Sequence, residues 1–153
     1  MKDLKFGALG LNTLHPTIPM PVTAAQVIKD RSGRFVTLTT NTGAVSISGA
    51  ADTMIDGFID TAETASSASG LIAPMIPAAG CRERFRIPII TGTLTALMFG
   101  KTCDIAVSAN VQGANLTASS TDVLLIVGGD IAGQTYVDVM INPNKATYAL
   151  GVV

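Results

Sequence analysis

The segment Gln134-Thr-Tyr-Val-Asp-Val-Met-Ile141 indicates the fold class, because branched apolar side chains occupy every second position from 137 to 141. Its even positions carry Tyr136, Asp138 and Met140, whereas the odd positions 137, 139 and 141 carry only Val or Ile. A period of two is that of a β-strand with one buried face. Turn-forming residues bound the segment, with Gly-Gly-Asp at 128–130 before it and Asn-Pro-Asn at 142–144 after it.

Short blocks rich in Val, Ile and Thr recur along the chain, separated by turn residues about every 8 to 12 positions. The clearest pair is Arg34–Thr40 and Ala44–Ser48, which Asn41-Thr-Gly43 joins into a predicted hairpin. The other predicted strands are Met54–Asp60 with a bulge at Gly57, Cys81–Ile90, Leu94–Phe99, Cys103–Ser108, Thr121–Val127, Gln134–Ile141 and Ala146–Val153. A helix of one or two turns at Thr23–Lys29 stays an alternative. The pattern predicts an all-β protein, a small sandwich or barrel of jelly-roll-like type.

The length of 153 residues fits one domain. Residues 1–22 contain several prolines and few helix formers, so we predict an extended N-terminal arm there. Residues 23–153 then form a single β domain. Small polar residues fill 61–70 and prolines punctuate 71–79, which predicts a flexible loop near 61–79 within that domain.

Charge is scarce in this chain. Charged residues make up 14 % of it and hydrophobic residues 48 %, and the net charge is −1. A water-soluble monomer needs more polar surface than this, so we infer that other protein covers much of its surface. No apolar run approaches the roughly 20 residues of a membrane span, and prolines interrupt any signal peptide. We therefore expect no membrane partner, no secretion and no direct sequence-specific binding of nucleic acid.

Residues that carry chemistry are few. The single histidine, His15, has no partner at metal-ligand spacing, and no nucleophile motif accompanies it. We interpret Asp52, Asp56 and Asp60, spaced by four, as a solvated acidic edge. The glycines at 128–133 match no phosphate-binding loop and favour a hairpin turn. We expect no catalytic residues, no cofactor and no metal site, and hence no enzyme.

The two cysteines, Cys81 and Cys103, lack the close spacing of a redox or zinc motif. Two free thiols in the core are the favoured interpretation, and a Cys81–Cys103 bridge stays an alternative.

The one concentration of charge is Arg82, Arg84 and Arg86, within Cys-Arg-Glu-Arg-Phe-Arg-Ile. On a strand all three point to one side, where they repel one another unless an anionic group faces them. Acidic side chains of a neighbouring subunit are preferred to phosphates, because few aromatic residues are available to stack bases. A solvated edge strand is the alternative.

Three segments carry a resemblance to a known group: Phe99–Ile105, Val111–Val127 and Val137–Lys145. Their order resembles the C-terminal β core of small capsid decoration (cement) proteins of tailed bacteriophages, over about a third of the chain. The proline-rich arm, the low charge and the scarcity of His and Trp are also similar to that group. The longer Ser/Ala loop at 61–70 departs from it.

The resemblance implies a protein made in the host cytoplasm that binds the outside of the virion capsid as a dimer or trimer. It would bridge major capsid subunits and clamp the shell, and the group supplies no catalytic residues. We expect the capsid or subunit contacts to come from an arm set and an arginine row: Leu9, Leu11, Leu14, Ile18 and Met20, with Arg82, Arg84 and Arg86. Three other classes stay open, namely a tail-tube or other self-assembling virion β protein, a trimeric all-β hydrolase similar to dUTPases, and a carbohydrate-binding module.

Overall fold

A computed structural model describes residues 6–9, 17–117 and 120–147. These residues contain eleven strands in two sheets, and single-turn 3-10 helices at Ala96–Met98 and Pro143–Lys145. The strands are β1 (Gly7–Ala8), β2 (Ile18–Pro21), β3 (Phe35–Leu38), β4 (Val45–Ile47), β5 (Gly57–Ile59), β6 (Ile72–Pro77), β7 (Phe85–Thr91), β8 (Thr102–Ser108), β9 (Val111–Asn115), β10 (Leu124–Gly129) and β11 (Tyr136–Ile141). The prediction of an all-β fold is confirmed. Among these residues, no helix has the length and apolar character that crossing a membrane requires.

The first sheet closes into a barrel. Its order is β1-β7-β11-β10-β8-β9, and β9 also pairs with β7 in parallel, so the last five strands form a ring. β1 pairs with the first half of β7, at Arg86 and Phe85, and β9 pairs with the second half of β7. Closure leaves few unpaired backbone groups at strand edges.

The second sheet has the order β2-β6-β5-β3-β4, and all of its strand pairs are antiparallel. A parallel bridge between Val22 and Val45 brings the end of β2 back to β4, and the Thr23 N–H donates to the Val45 carbonyl at 2.9 Å. This sheet is therefore also nearly closed.

Each sheet encloses its own apolar core, and aromatic rings join the two sheets. The second sheet buries Val36, Ile59 and Met75 in its own core. The neighbouring Phe35 and Phe58 point the other way and pack against Phe85 of the barrel. The ring centroids of Phe58 and Phe85 are 4.4 Å apart, and Phe35 meets each of them edge-on.

Gln112 on β9 ties the two sheets together by hydrogen bonds. Its amide nitrogen donates to the carbonyls of Phe35 and Ser48, at 3.0 and 2.8 Å, and its amide oxygen accepts from the Phe35 N–H at 2.9 Å. Gly33 lies against this amide, and a Cβ there would come within 2.5 Å of Oε1. The Phe35 carbonyl also accepts from the Ser48 N–H at 2.9 Å, so the glutamine amide is inserted between Phe35 of β3 and Ser48, directly after β4.

Several predicted strands agree with the structure. The hairpin of β3 and β4 pairs Thr37 with Ser46, and β10 and β11 form the hairpin expected from the glycines at 128–129. The bulge predicted at Gly57 is wrong, because β5 pairs in regular register. The glycine instead allows close packing, since a Cβ there would lie 2.5 Å from the Met75 side chain.

Other elements of the structure differ from those predicted. Leu94–Phe99 is a loop with one 3-10 turn, and β9 arose where no strand was predicted. The segment predicted as a flexible loop near 61–79 contains β6. Pro74 fits into this strand because a proline lacks only the N–H, and its carbonyl still accepts from the Asp60 N–H. Thr23–Lys29 forms no helix. Of the strand predicted at Ala146–Val153, residues 148–153 lie outside the described residues, and Ala146 makes one isolated bridge with Ile55.

Candidate functional site

The arginine row follows the segment that leads into β7, on the outer face of the barrel, and Arg86 is its one member within the strand itself. Burial alternates as the sequence predicted, with Arg82 and Arg84 exposed while Glu83 and Phe85 are buried. Arg86 is half-buried because it pairs directly across the sheet with Asp138 on β11.

Asp138 holds two of the three arginines. Nε and Nη2 of Arg86 donate to the two carboxylate oxygens at 2.7 and 2.9 Å, and Arg84 Nη2 lies 3.5 Å from Oδ2. The Arg86 guanidinium also stacks over the Tyr136 ring, 3.9 Å from its centroid. Hydrogen bonding to Asp138 raises the pKa of Arg86, although burial works against it. A two-point contact of this kind fixes the orientation of the guanidinium plane.

The structure corrects one expectation about this row. We expected an acidic side chain from a neighbouring subunit to face the arginines, but Asp138 of the same chain faces Arg84 and Arg86. Three arginines with this one aspartate leave a formal charge of 3 − 1 = +2 on the strip. The Arg84 side chain stays 56 % exposed, so its guanidinium can still contact another molecule.

An open cavity of about 440 Å³ adjoins the end of the row, lined by the turn Ala78–Arg82 and by Met140, Pro143 and Ala146. The Cys81 thiol is half-buried at its edge. Burial raises the pKa of this thiol, a backbone hydrogen bond at Glu83 lowers it, and the negative charge of Glu83 raises it further. Cys81 is thus held in its protonated form at neutral pH.

Both cysteines are free thiols, which confirms that part of the favoured interpretation. Only Cys103 lies in the core, because Cys81 is half-buried at its edge. Cys103 lies in the barrel core, where burial, with the nearby charges of Asp104 and Asp122, raises its pKa to about 12. A protonated thiol is a poor nucleophile and metal ligand.

The arm residues are placed mostly against their own domain. The Leu9 N–H donates to the Arg84 carbonyl at 2.7 Å, which positions the half-buried Leu9 beside the arginine row. Ile18 packs against the second core, and Met20 lies inside it. The prediction of Met20 as a contact residue is corrected, because it is buried in its own chain. Leu11 and Leu14 lie outside the described residues.

Two of the three aspartates that we interpreted as a solvated acidic edge, Asp52 and Asp56, accept hydrogen bonds from their own chain. Asp56 is buried, where its carboxylate accepts from the Leu38 N–H and the Thr147 hydroxyl, both at 2.7 Å. Asp52 accepts from the Gly49 N–H at 2.7 Å, and only Asp60 is fully exposed. The interpretation as a solvated edge is therefore wrong for Asp56.

No set of three or more acidic, histidine or cysteine side chains within the described ranges is close enough to hold a metal ion. His15 lies outside those ranges.

A second surface feature was missed by sequence analysis: three large apolar side chains exposed on two adjoining loops. Leu97 is 82 % exposed, and Phe99 and Ile131 are each 42 % exposed. The sequence signal was present, because the apolar run of Leu94–Phe99 is bracketed by Gly92 and Gly100, both with positive φ. The pattern of that run predicts a strand, and a strand prediction does not indicate the exposure of Leu97.

Comparison of the chain with models of protein families, with curated protein sequences and with solved structures found no match.

Proposed function

We propose that this protein is a virion structural protein that binds the outside of a tailed-phage capsid and stabilises the shell by bridging major capsid subunits. The resemblance at Phe99–Ile105, Val111–Val127 and Val137–Lys145 suggests this role. The observation that carries the proposal is the arginine row, in which Asp138 orients Arg86 and contacts Arg84, and which has more positive charge than Asp138 neutralises.

An ordered basic strip suits the binding of an acidic protein surface. Asp138 also lies 3.5 Å from the Arg84 guanidinium, so Arg84 loses less side-chain entropy when a partner carboxylate binds it. Each such contact is weak, but a capsid presents its binding site many times, and a bridging protein gains avidity from that repetition.

The architecture supports binding by side chains and not by sheet extension. The barrel is a closed ring, and β2 of the second sheet carries Pro19 and Pro21, which offer no N–H to an added strand. A body of this kind can cover a shell without joining its own copies edge to edge into fibrils.

A tail-tube or other self-assembling virion protein is the second candidate. The exposed Leu97, Phe99 and Ile131 favour it, because apolar side chains on ordered loops suit contacts between identical copies.

Sedimentation of particles from the native source, with peptide mass spectrometry across the gradient, tests the proposal. We expect this chain to travel with DNA-filled heads at hundreds of copies per particle and to be absent from detached tails. A peak with the tails would favour the second candidate. Recovery only at the top of the gradient would overturn both and reopen the hydrolase and carbohydrate-binding classes.

The role of the arginine row is tested by adding back purified protein to particles that lack it. Arg82→Glu reverses one exposed charge of the row, and we expect it to weaken binding about tenfold or more. Arg31→Glu is the matched control, since it makes the same charge change at an exposed turn before β3. Equal binding by the two variants would refute the row as a contact surface.

A further inference from the structure

The loop Leu94–Lys101 lies along β10, and hydrogen bonds connect its two ends to different points of the β10–β11 hairpin. At one end, the Gln134 side chain accepts from the Leu94 N–H at 2.6 Å and donates to the Leu94 carbonyl at 2.9 Å. At the other end, the Gly100 N–H donates to the Ile126 carbonyl at 2.8 Å, and the Ile126 N–H donates to the Lys101 carbonyl at 2.9 Å.

Hydrogen bonds inside the loop hold its middle as a tight turn. The Met98 N–H donates to the Thr95 carbonyl at 3.0 Å, and the Lys101 N–H donates to the Met98 carbonyl at 2.9 Å. Met98 packs against the barrel core while Leu97, next to it, points outward with 82 % of its surface exposed. A large apolar side chain held in this way loses little freedom when it is buried by a partner.

The exposed apolar residues of this surface are Leu97 and Phe99 of the loop and Ile131 of the β10–β11 turn. Gln134 joins the two loops, because its amide also donates to the Ile131 carbonyl at 2.5 Å. We call these three residues the apolar patch.

Opposite charges lie at the two ends of the patch. Lys101 is exposed beside Ile126, whereas Asp130 lies four residues further along the hairpin, about 13 Å from Ile126 at the usual rise of a strand. The Gly133 N–H and the Thr135 hydroxyl donate to the Asp130 carboxylate at 2.8 and 2.7 Å. These hydrogen bonds lower the pKa of Asp130 and keep it negatively charged near neutral pH.

An apolar centre between one cation and one anion is complementary to a copy of itself. A twofold axis through the centre would place Leu97 against the partner's apolar patch. The same axis would set Lys101 opposite Asp130 of the partner subunit at both ends of the contact. We propose that the apolar patch is the twofold interface of a homodimer of this chain. This inference is independent of the proposed binding to a capsid.

Sedimentation equilibrium of the purified chain over a wide concentration range tests the interface. We expect a reversible dimer, and we expect Leu97→Ser to raise its dissociation constant about tenfold or more, because each dimer loses two buried leucines. Ile72→Ser is the matched control: Ile72 is 55 % exposed on β6 of the other sheet, so its loss should leave the dissociation constant unchanged.

The charge arrangement has its own test. Lys101→Glu places like charges opposite each other and should weaken the dimer. Adding Asp130→Asn removes that repulsion while keeping an oxygen that accepts from the Gly133 N–H, so the double variant should recover part of the loss. Thermal unfolding of every variant checks that it is folded.

A wild-type chain that stays monomeric at all concentrations would overturn the proposal. Equal effects of Leu97→Ser and Ile72→Ser would also overturn it, as would a double variant no tighter than Lys101→Glu alone.

Discussion

Replacing Gln112 with methionine probes how the two sheets are joined. Methionine has a similar size and shape, so packing changes little. The variant loses three hydrogen bonds of 2.8–3.0 Å, which leaves the Phe35 N–H and the Ser48 carbonyl without their partner. The Phe35 carbonyl keeps its bond from the Ser48 N–H at 2.9 Å. Gln112 is 1 % exposed, so the variant offers solvent little access to these groups.

The expected loss follows from the number of groups left unpaired. Each buried polar group without a partner costs about 1–3 kcal/mol, with carbonyls at the lower end, so the two groups together should lower the unfolding free energy by about 2–4 kcal/mol. A domain of this size has about 5–15 kcal/mol in total. The same loss corresponds to a fall in Tm of about 10 °C.

Gln134→Met is the matched control. Gln134 makes the same pair of bonds, with the N–H and carbonyl of Leu94, but it is only half-buried and lies at a surface turn. Leu94 itself is buried, and a small outward shift of that turn lets water reach the freed groups. We expect it to cost about 1 kcal/mol. Urea denaturation followed by circular dichroism measures both variants. The reasoning is refuted if Gln112→Met loses no more stability than Gln134→Met.

Three further predictions concern single positions. Burial raises the pKa of Asp104, but hydrogen bonds from the Asp122 N–H, the hydroxyl and N–H of Ser120, and the Thr121 N–H outweigh it and lower the pKa to about 2. The pKa is therefore depressed on folding. Its contribution of about 1–2 kcal/mol, allowing for solvent screening, should be complete above about pH 4 and lost as the pH falls toward 2. Asp104→Asn should remove this part of the acid dependence in urea titrations at several pH values. Arg86→Lys keeps the charge but loses the two-point contact and the ring stacking, so it should lower the unfolding free energy by about 1–2 kcal/mol, and an unchanged Tm would contradict this. Gly113→Ala would bring a Cβ to 2.4 Å from the Pro88 carbonyl oxygen and should cost about 2–3 kcal/mol, whereas Gly49→Ala, with no atom within 4 Å, should cost less than about 0.5 kcal/mol in the same denaturation assay.

Local patterns were enough to predict the strands that have one buried face. The alternation in β11 places Val137, Val139 and Ile141 on one face of a strand, and all three are buried. The hairpin of β3 and β4 followed from its turn residues.

Features that depend on distant residues could not be predicted. β9 reads Val-Gln-Gly-Ala-Asn, which has a weak strand propensity, and Gln112 is stabilised there by Phe35, 77 positions away. The alternation in β11 places Asp138 on the same face as Tyr136, but its pairing with Arg86 depends on the register of β7 and β11.

The same limit applies to the exposed loop. Leu97 belongs to an apolar run, and local propensity favours burying such a run. Its exposure arises from the tertiary contacts of Gln134 and Ile126, which hold the loop along the outside of the barrel.

Electron cryo-microscopy of intact particles from the native source tests the central claim most directly. We predict density on the outside of the head, over junctions between major capsid subunits, into which this all-β body fits with Arg82 and Arg84 facing the shell. Heads without such density, or the same body located in the tail, would contradict the account.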